Sequence, residues 1–578
     1  MRHVVAGLLL LAVVRQVIIS SSIPKLERLS AASVSVGASV TLFGQNFAPA
    51  GMSAGTVTVN GVAATVTNWV DNAVTIIVPT TTTGLVLIRR ADTALSNTLT
   101  LTITTVTGDC PTTDIKTVKT SGGDFTTIAA CLNAGHNCQV DAGTWAGGTV
   151  TTSGTPTHYD TVFAAAGADQ LVVMSSQINF GAQSYLQIGC SGGGLFFSGV
   201  AVTGGGNLNA HHIKYIGNKF DNFSTDFIIA LSVFSQHTLV DNNTFGPTLH
   251  DDDVDIFNWY VVLRNNVAKG ITQIADHPDF CQTYCTATTR GAIFVLLENN
   301  YAHDCVGPDC HFFQFNNNGC DSAGDASPND PEHNWIIREN VVANMQSAMY
   351  SFQDNAAGVT QWSQFASYNN TQDTVYPSNN YTECIGCAGS PGRPVLQAFS
   401  KNEICYKCGA AAAFAFMFPT GTTLKNGLLY FPGSTITASG NLSTCVASGN
   451  CLINQDPLFT NQAAGDYTLQ NGSPGLDSGI APTTVAAGDS GFGTSLVVND
   501  AYAFQDATWV DGIQADCVSV KTVGNHVCIS SIDYTTNTIT LASDPGARSA
   551  GDAVWLYSDS AGRVVLKGTA PDRGAKEK

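Results

Sequence analysis

The sequence predicts an all-β fold organised around a parallel β-helix, and three observations carry that expectation. From His211 to about Gln353 one short pattern recurs: HIKYIGNKF, HTLVDNNTF, WYVVLRNNV, IFVLLENNY and NWIIRENVV, each a β-branched apolar run closed by asparagine. With Asn218, Asn243, Asn266, Asn300 and Asn340 as markers, the steps are 25, 23, 34 and 40 residues. Steps of that size mark a solenoid whose coils each contribute strand and turn. The alternation is that of short strands, without a sustained helical period. Composition agrees: 56 glycines and only 12% charged residues suit β structure with many turns. An asparagine closing each run tolerates left-handed backbone angles, and its amide can bond the amide of the next coil.

At 578 residues the chain has room for more than one domain. Residues 1–22 have a basic start and an apolar run from Val4 to Val14, as a secretory signal peptide does. No other stretch is long and apolar enough to span a bilayer. Seventeen cysteines, several in close pairs (Cys131/Cys138, Cys281/Cys285, Cys305/Cys310, Cys445/Cys451, Cys517/Cys528), fit a secreted or cell-surface protein stapled by disulfides. The net charge of −19 argues against nucleic acid and anionic membrane as partners.

Residues 23–104 alternate in strand fashion, with turn signals every 8–12 residues, as in a β-sandwich. The stretches GASVTLFGQNF (Gly37–Phe47), VTVNGVAATVTNWVDNAVTIIVP (Val57–Pro79) and SNTLTLTI resemble an IPT/TIG domain, an immunoglobulin-like module that generally serves as spacer or binding element. Residues 105–489 are expected to form the solenoid. DFTTIAACLNAGHNCQVDAGTW (Asp124–Trp145) opens with a helical patch at Ile128–Leu132. It resembles the start of secreted right-handed parallel β-helix proteins of the pectate-lyase-like superfamily, in which a short helix caps the first coil. A solenoid end needs such a cap, since it would otherwise expose core and unpaired strand edges. NQDPLFTNQAAGDYTLQNGSPGLDSG (Asn454–Gly479) resembles a closing segment of those proteins. The short PDxGA-like ending that usually follows it arrives only at Ala570–Ala575. Residues 490–578 are therefore read as a small β module plus closing segment, with strand-like runs TITLAS, AVWLYS and RVVLKG, packed on or carried by the end of the helix.

Aligning the coils on their asparagines suggests two polar columns. One contains Asp255, Asp279, His311 and Tyr350; the other contains Asn258, Gln282, Gln314 and Gln353. Stacked amides are expected to stabilise the solenoid. Two carboxylates, an imidazole and a phenol in one groove would suit acid–base chemistry on a sugar. Phe257 and Phe313, on the same face, would be sugar-contacting aromatics. HDDDVDIF and DHPDFCQ resemble segments of bacterial β-helix proteins related to polysaccharide lyases and epimerases, which adds Asp253, His277 and Gln282 as site candidates.

Two mechanisms are open. In a lyase or epimerase, a base such as His277 or Tyr350 removes the proton beside a uronate carboxyl. Ca²⁺ on Asp251, Asp252 and Asp253, or an arginine such as Arg290, then neutralises the developing charge. In a glycoside hydrolase, Asp255 and Asp279 act as paired carboxylates. The chain lacks the paired-aspartate, GHG and RIK signatures of polygalacturonases and a Lys-x-Arg pair on these coils. The rival expectation is a non-catalytic surface protein or adhesin with the β-helix as a rod. Cys384-x-x-Cys387 and Cys405-x-x-Cys408 have zinc-ribbon spacing. In an exported chain two disulfides, 384–408 with 387–405 or the alternative pairing, are favoured over zinc.

Overall fold

The computed structural model describes residues 23–29, 33–35, 39–49, 52–79, 84–104, 109–200, 202–203, 210–222, 227–231, 236–247, 252–256, 259–271, 278–285, 292–306, 310–317, 333–346, 349–354, 363–375, 396–408, 414–416, 422–489 and 491–578. The leader expected over residues 1–22 lies outside them. The chain divides into two compact units, Met1–Asp109 and Cys110–Lys578.

The first unit is a β-sandwich of a four-stranded and a five-stranded sheet. Alternate residues Val57 and Val59, Val74 and Ile76, and Val86 and Ile88 turn inward to one apolar core, as period-2 patterning requires. Asn60 and Gly61, both at positive φ, make the tight hairpin between Thr56–Val59 and Val62–Ala63.

The second unit is a three-sheet parallel β-helix. Its first and second sheets have twelve strands each, running from Ile115–Val118 to Thr422–Lys425 and from Gly143–Trp145 to Leu452–Ile453. The third has six, from Val202–Thr203 to Tyr350–Asp354. Each strand pairs in parallel with its equivalent one coil on. The interior is one continuous apolar cluster, with Phe197, Phe220 and Phe245 stacked coil on coil at 5.1 Å. At the N-terminal end the helix Ile128–Asn133 starts at Thr127, whose hydroxyl accepts from Ala130 N. It buries Ile128, Cys131 and Leu132 against that core.

The two residues that close these first-sheet strands, often Asn-Asn, divide their work. The first of each pair, as in Asn242, Asn265, Asn299, Glu339, Asn369 and Asn402, takes positive φ and makes the corner. The second faces inward. Asn218, Asn243, Asn266, Asn300 and Asn340 each donate their backbone N–H to the side-chain oxygen of the next coil's asparagine at 2.9–3.0 Å. Their side-chain amides donate to the same oxygens. The ladder passes through Asn370 and ends on Glu403, whose carboxylate accepts from Asn370 N at 2.9 Å.

The C-terminal residues correct the expected placement: they pack along the flank of the β-helix rather than at its end. A six-stranded antiparallel sheet runs from Thr483–Thr484 to Ala553–Ser558. Tyr502, Phe504, Trp509 and Val510 of this region cover Leu239, Val262, Leu296 and Ile336 on the outside of the first sheet. Arg338, buried there, is held by Glu298 and by Asp516 at 2.7 Å. TITLAS and AVWLYS supply strands, Thr538–Leu541 and Ala553–Ser558. RVVLKG forms none, making one isolated bridge at Val564. The two halves of the interrupted closing segment rejoin: Asp477 N donates to Asp572 Oδ1 and Gly479 N to Pro571 O, both at 2.7 Å. Ala575 N then bonds Thr371 Oγ1 on the second sheet.

Candidate functional site on the third sheet

The third sheet carries the acidic strings, and its pairing register revises the expected columns. Val254 aligns with Cys281, Cys281 with Phe313 and Phe313 with Tyr350. All four are buried in the interior cluster. Tyr350 and Phe313 are therefore core residues, not a catalytic phenol and a sugar platform. The Tyr350 hydroxyl bonds Ser367 Oγ at 3.0 Å, and burial raises its pKa well above the phenol range.

Asp255 aligns with Gln282, and Gln282 with Gln314. It does not stack on Asp279. Three register positions separate them, about 11 Å between Cα atoms from 3.3 Å per residue and 4.8 Å per coil. The pairing expected for a two-carboxylate hydrolase thus passes to Asp252 and Asp279, which share a register position with His311. A fixed offset from the turn asparagine misplaces the columns because the connection into the third sheet differs in length from coil to coil.

Three groups of side chains result. The first is a buried chain of contacts at the strand starts. Asp252 Oδ1 accepts from Asp279 N at 3.0 Å. Asp279 Oδ1 in turn accepts from His311 N at 2.9 Å and lies 2.8 Å from His311 Nδ1. A carboxylate on Nδ1 fixes the orientation of an imidazole and leaves Nε2 as its working nitrogen. Asp279 is 0% and His311 2% exposed.

The second is the position just before Val254. Here Asp253 shares an interior register column with Phe280, Phe312 and Met349, and Phe280 and Phe312 stack at 5.2 Å. Burial raises the Asp253 carboxyl well above its usual range. Of the expected calcium trio, Asp252 accepts from Asp279 N through Oδ1 and Asp253 is an interior carboxyl, while Asp251 lies outside the described residues.

The third group is on the outer face. Strand alternation that sends Val254, Ile256, Cys281, Phe313 and Phe315 inward sends Asp255, Gln282 and Gln314 outward. Asp255 and Gln282 keep 7% and 5% exposure, and Gln314 keeps none. Gln282 Oε1 and both amide atoms of Gln314 have no hydrogen-bond partner. A buried amide in that state costs about 1–3 kcal/mol, so this face of the sheet is under-satisfied where the asparagine ladder is complete. The sequence groups Gln314 with the scaffold amides, whereas its outward register and unpaired amide set it apart from them.

Of the remaining candidates, Phe257, His277, Arg290 and Asn258 lie outside the described residues. So do Cys384 and Cys387. Cys405 and Cys408 are bonded to each other, with Cα atoms 5.9 Å apart, because the chain turns at Lys407 (φ 52°) directly after the strand Ile404–Tyr406. This corrects the expected cross-pairing with 384 and 387. Cys281 is a free buried thiol. It shares the extended strand Asp279–Cys285 with Cys285, which holds positions four apart roughly 13 Å from each other, beyond disulfide reach. Cys131–Cys138, Cys305–Cys310, Cys445–Cys451 and Cys517–Cys528 are bonded as expected, and Cys110–Cys190 is an additional long-range bridge. Disulfides therefore prevail over zinc among the described cysteines. No described helix is long and apolar enough to cross a membrane.

Fold and site together define a three-sheet parallel β-helix with an acidic, amide-bearing outer face on its third sheet. No protein-family model and no curated protein matches the chain. Among solved structures it is similar to the PL6 family alginate lyase AlyGC, with 14% identity over 53% of this chain, 50% of that chain and a TM-score of 0.34. The chain thus spans about half the length of that lyase. It is also similar to the catalytic domain of a GH87 alpha-1,3-glucanase (11% identity, 70% of this chain, 91% of that chain, TM-score 0.32). A third is PfbA, a surface adhesin of Streptococcus pneumoniae (10% identity, 54% and 84%, TM-score 0.31).

Proposed function

We propose that this chain is an extracellular carbohydrate-active protein that holds a polysaccharide against the outer face of the third sheet, across Asp255, Gln282 and Gln314. The observation that carries this reading is that Gln282 Oε1 and both amide atoms of Gln314 lack a hydrogen-bond partner in the register column of the Asp255 carboxyl. Hydroxyl groups of a sugar are ligands of the kind such amides and carboxylates accept and donate to. His311, oriented by Asp279, is the acid–base group of this reading, with Asp252 fixing the Asp279 backbone. Disulfides within and between coils support an extracellular setting. We propose further that residues 23–104 are an IPT/TIG-type module acting as spacer or attachment element, and that residues 1–22 are a secretion signal.

A second reading, a non-catalytic surface or adhesin-type protein, is favoured by one observation: Asp279 and His311 are almost fully buried. Both readings share the glycan face and differ in turnover. Incubation with a panel of polysaccharides, following unsaturated products by ultraviolet absorbance and chain cleavage by reducing ends, separates them. Absorbance indicates elimination, new reducing ends without absorbance indicate hydrolysis, and retention of polymer without product indicates the adhesin. No retention of any polymer would refute both.

A further inference from the structure

The tail that ends the chain runs along the outer corners of the β-helix. Gly574 N donates to Asn402 O at 2.7 Å and Ala575 N to Thr371 Oγ1 at 2.9 Å. Lys576 then reaches past the coil of Glu339, and its Nζ donates to Asn299 Oδ1 at 2.5 Å. The other corners explain why that oxygen is open to a lysine. Asn402 Nδ2 donates to Asn369 Oδ1, Asn426 Nδ2 to Asn402 Oδ1 and Asn450 Nδ2 to Asn426 Oδ1, all at 2.7–2.8 Å. The corner that follows Asn299 is Glu339, which has no amide to give. Asn299 Nδ2 still donates to Asn265 Oδ1 at 2.8 Å, which holds the carboxamide with its oxygen toward Lys576.

An amine, a carboxamide and a carboxyl therefore meet at one corner, and two of the three are shifted toward the forms that amide exchange requires. Asn299 and Lys576 are half-buried, and Glu339 is 6% exposed. Burial, reinforced by Arg563, lowers the Lys576 amine to about 8 from 10.5. A share of it is then uncharged and nucleophilic near neutral pH. Burial and the carboxylate of Asp559 raise the Glu339 carboxyl, against the pull of Arg563 at 3.3 Å, so that it holds a proton more readily than an exposed glutamate. Glu339 and Asp559 also act electrostatically on Lys576. Glu339 lies one coil, about 4.8 Å, from Asn299 along the corner column.

We propose that Lys576 Nζ and Asn299 Cγ join in an intramolecular amide bond, promoted by Glu339, which fastens the C-terminal tail to the flank of the β-helix. The uncharged amine attacks Cγ. Glu339 donates a hydrogen bond to Oδ1, takes the proton that Nζ loses and returns one to Nδ2. The Cγ–Nδ2 bond breaks and ammonia leaves; nothing is oxidised or reduced and no further reactant is needed. The link joins positions 277 apart and, unlike a disulfide, survives reductant.

The test is peptide mapping of the full chain, unfolded and reduced before digestion with trypsin. Expected is one species that joins residues 291–338 to residues 574–578, lighter than the two peptides together by one ammonia, because an acylated Lys576 is no longer cut. That species should be absent from Lys576→Ala and Asn299→Ala. In Glu339→Gln it should fall by about tenfold or more, and Glu339→Asp should restore part of it. Near-UV circular dichroism verifies that each variant is folded, and the mapping of the native chain stands whether or not a variant folds. Recovery of residues 291–338 and 574–576 as separate, unmodified peptides from the native chain overturns the proposal. A joined species undiminished in Glu339→Gln overturns the part given to Glu339.

Discussion

The asparagine ladder of the first turn and the acidic column of the third sheet are built on the same coils, yet hydrogen bonding runs through them in opposite senses. In the ladder each backbone N–H donates forward to the side chain one coil on, as Asn266 N does to Asn300 Oδ1. In the column the side chain accepts backward from the next coil, as Asp252 Oδ1 does from Asp279 N. The ladder is neutral and its amides are paired. The column is charged, and the outward residues three positions further along the same strands include amides with no partner. Scaffold positions minimise unmet polar groups, and function is the ordinary reason for retaining them. The contrast supports the proposed glycan face more than the presence of aspartates does.

That contrast can be broken in order of expected effect. If His311 and Asp279 act as acid and base, Asp279→Asn should reduce turnover on the active polysaccharide by about 10²–10⁴-fold, the usual worth of a positioned proton-transfer group. Binding retained in gels would accompany that loss. A fall in stability with unchanged turnover would return the pair to the scaffold.

Next is the ladder itself. Asn300→Ala removes the acceptor for Asn266 N and Nδ2 and the donor to Leu263 O. Denaturant unfolding should show a loss on the order of 3 kcal/mol or more, without altering the affinity of folded protein for glycan.

A smaller effect lies at the ladder's end. Burial raises the Glu403 carboxyl to about 7 from its usual 4.5. Since the folded value is the higher one, its contribution is fully present below pH 4.5 and is lost as pH rises through 7. Relative to Glu403→Gln, the native protein should lose stability between pH 4.5 and 7 and run parallel above that range. A difference between the two that stays constant from pH 4 to 8 would contradict the assignment. The smallest change is expected at Cys281→Val, which conserves volume in an apolar setting and should shift stability by about 1 kcal/mol or less.

Much of the fold was legible because its signals are local. The Asn-Asn doublets mark both the corner and the inward amide, Asn60-Gly61 marks a hairpin, and Thr127 before Ile128–Asn133 marks the capping helix. The closing segment was legible as two fragments, although Asp477 and Asp572 are 95 positions apart and only the folded chain brings them together. The site was legible in composition but not in register. Whether Asp255 stacks on Asp279 or on Gln282 depends on how many residues each coil spends before its third-sheet strand. The alternation argument then reverses the role of every misplaced residue: Tyr350 and Phe313 go to the core, and Gln314 to the outer face. No periodicity reports a variable connection length.

The most direct test of the account is the double substitution Gln282→Leu/Gln314→Leu, measured for both polysaccharide retention and unfolding midpoint. Replacing partnerless buried amides by apolar groups of similar shape is neutral or stabilising. The account therefore predicts that glycan retention is lost while the midpoint stays or rises, the reverse of the outcome at Asn300. Retention unchanged, together with a midpoint that falls as it does in Asn300→Ala, would contradict it and make the third sheet one more ladder.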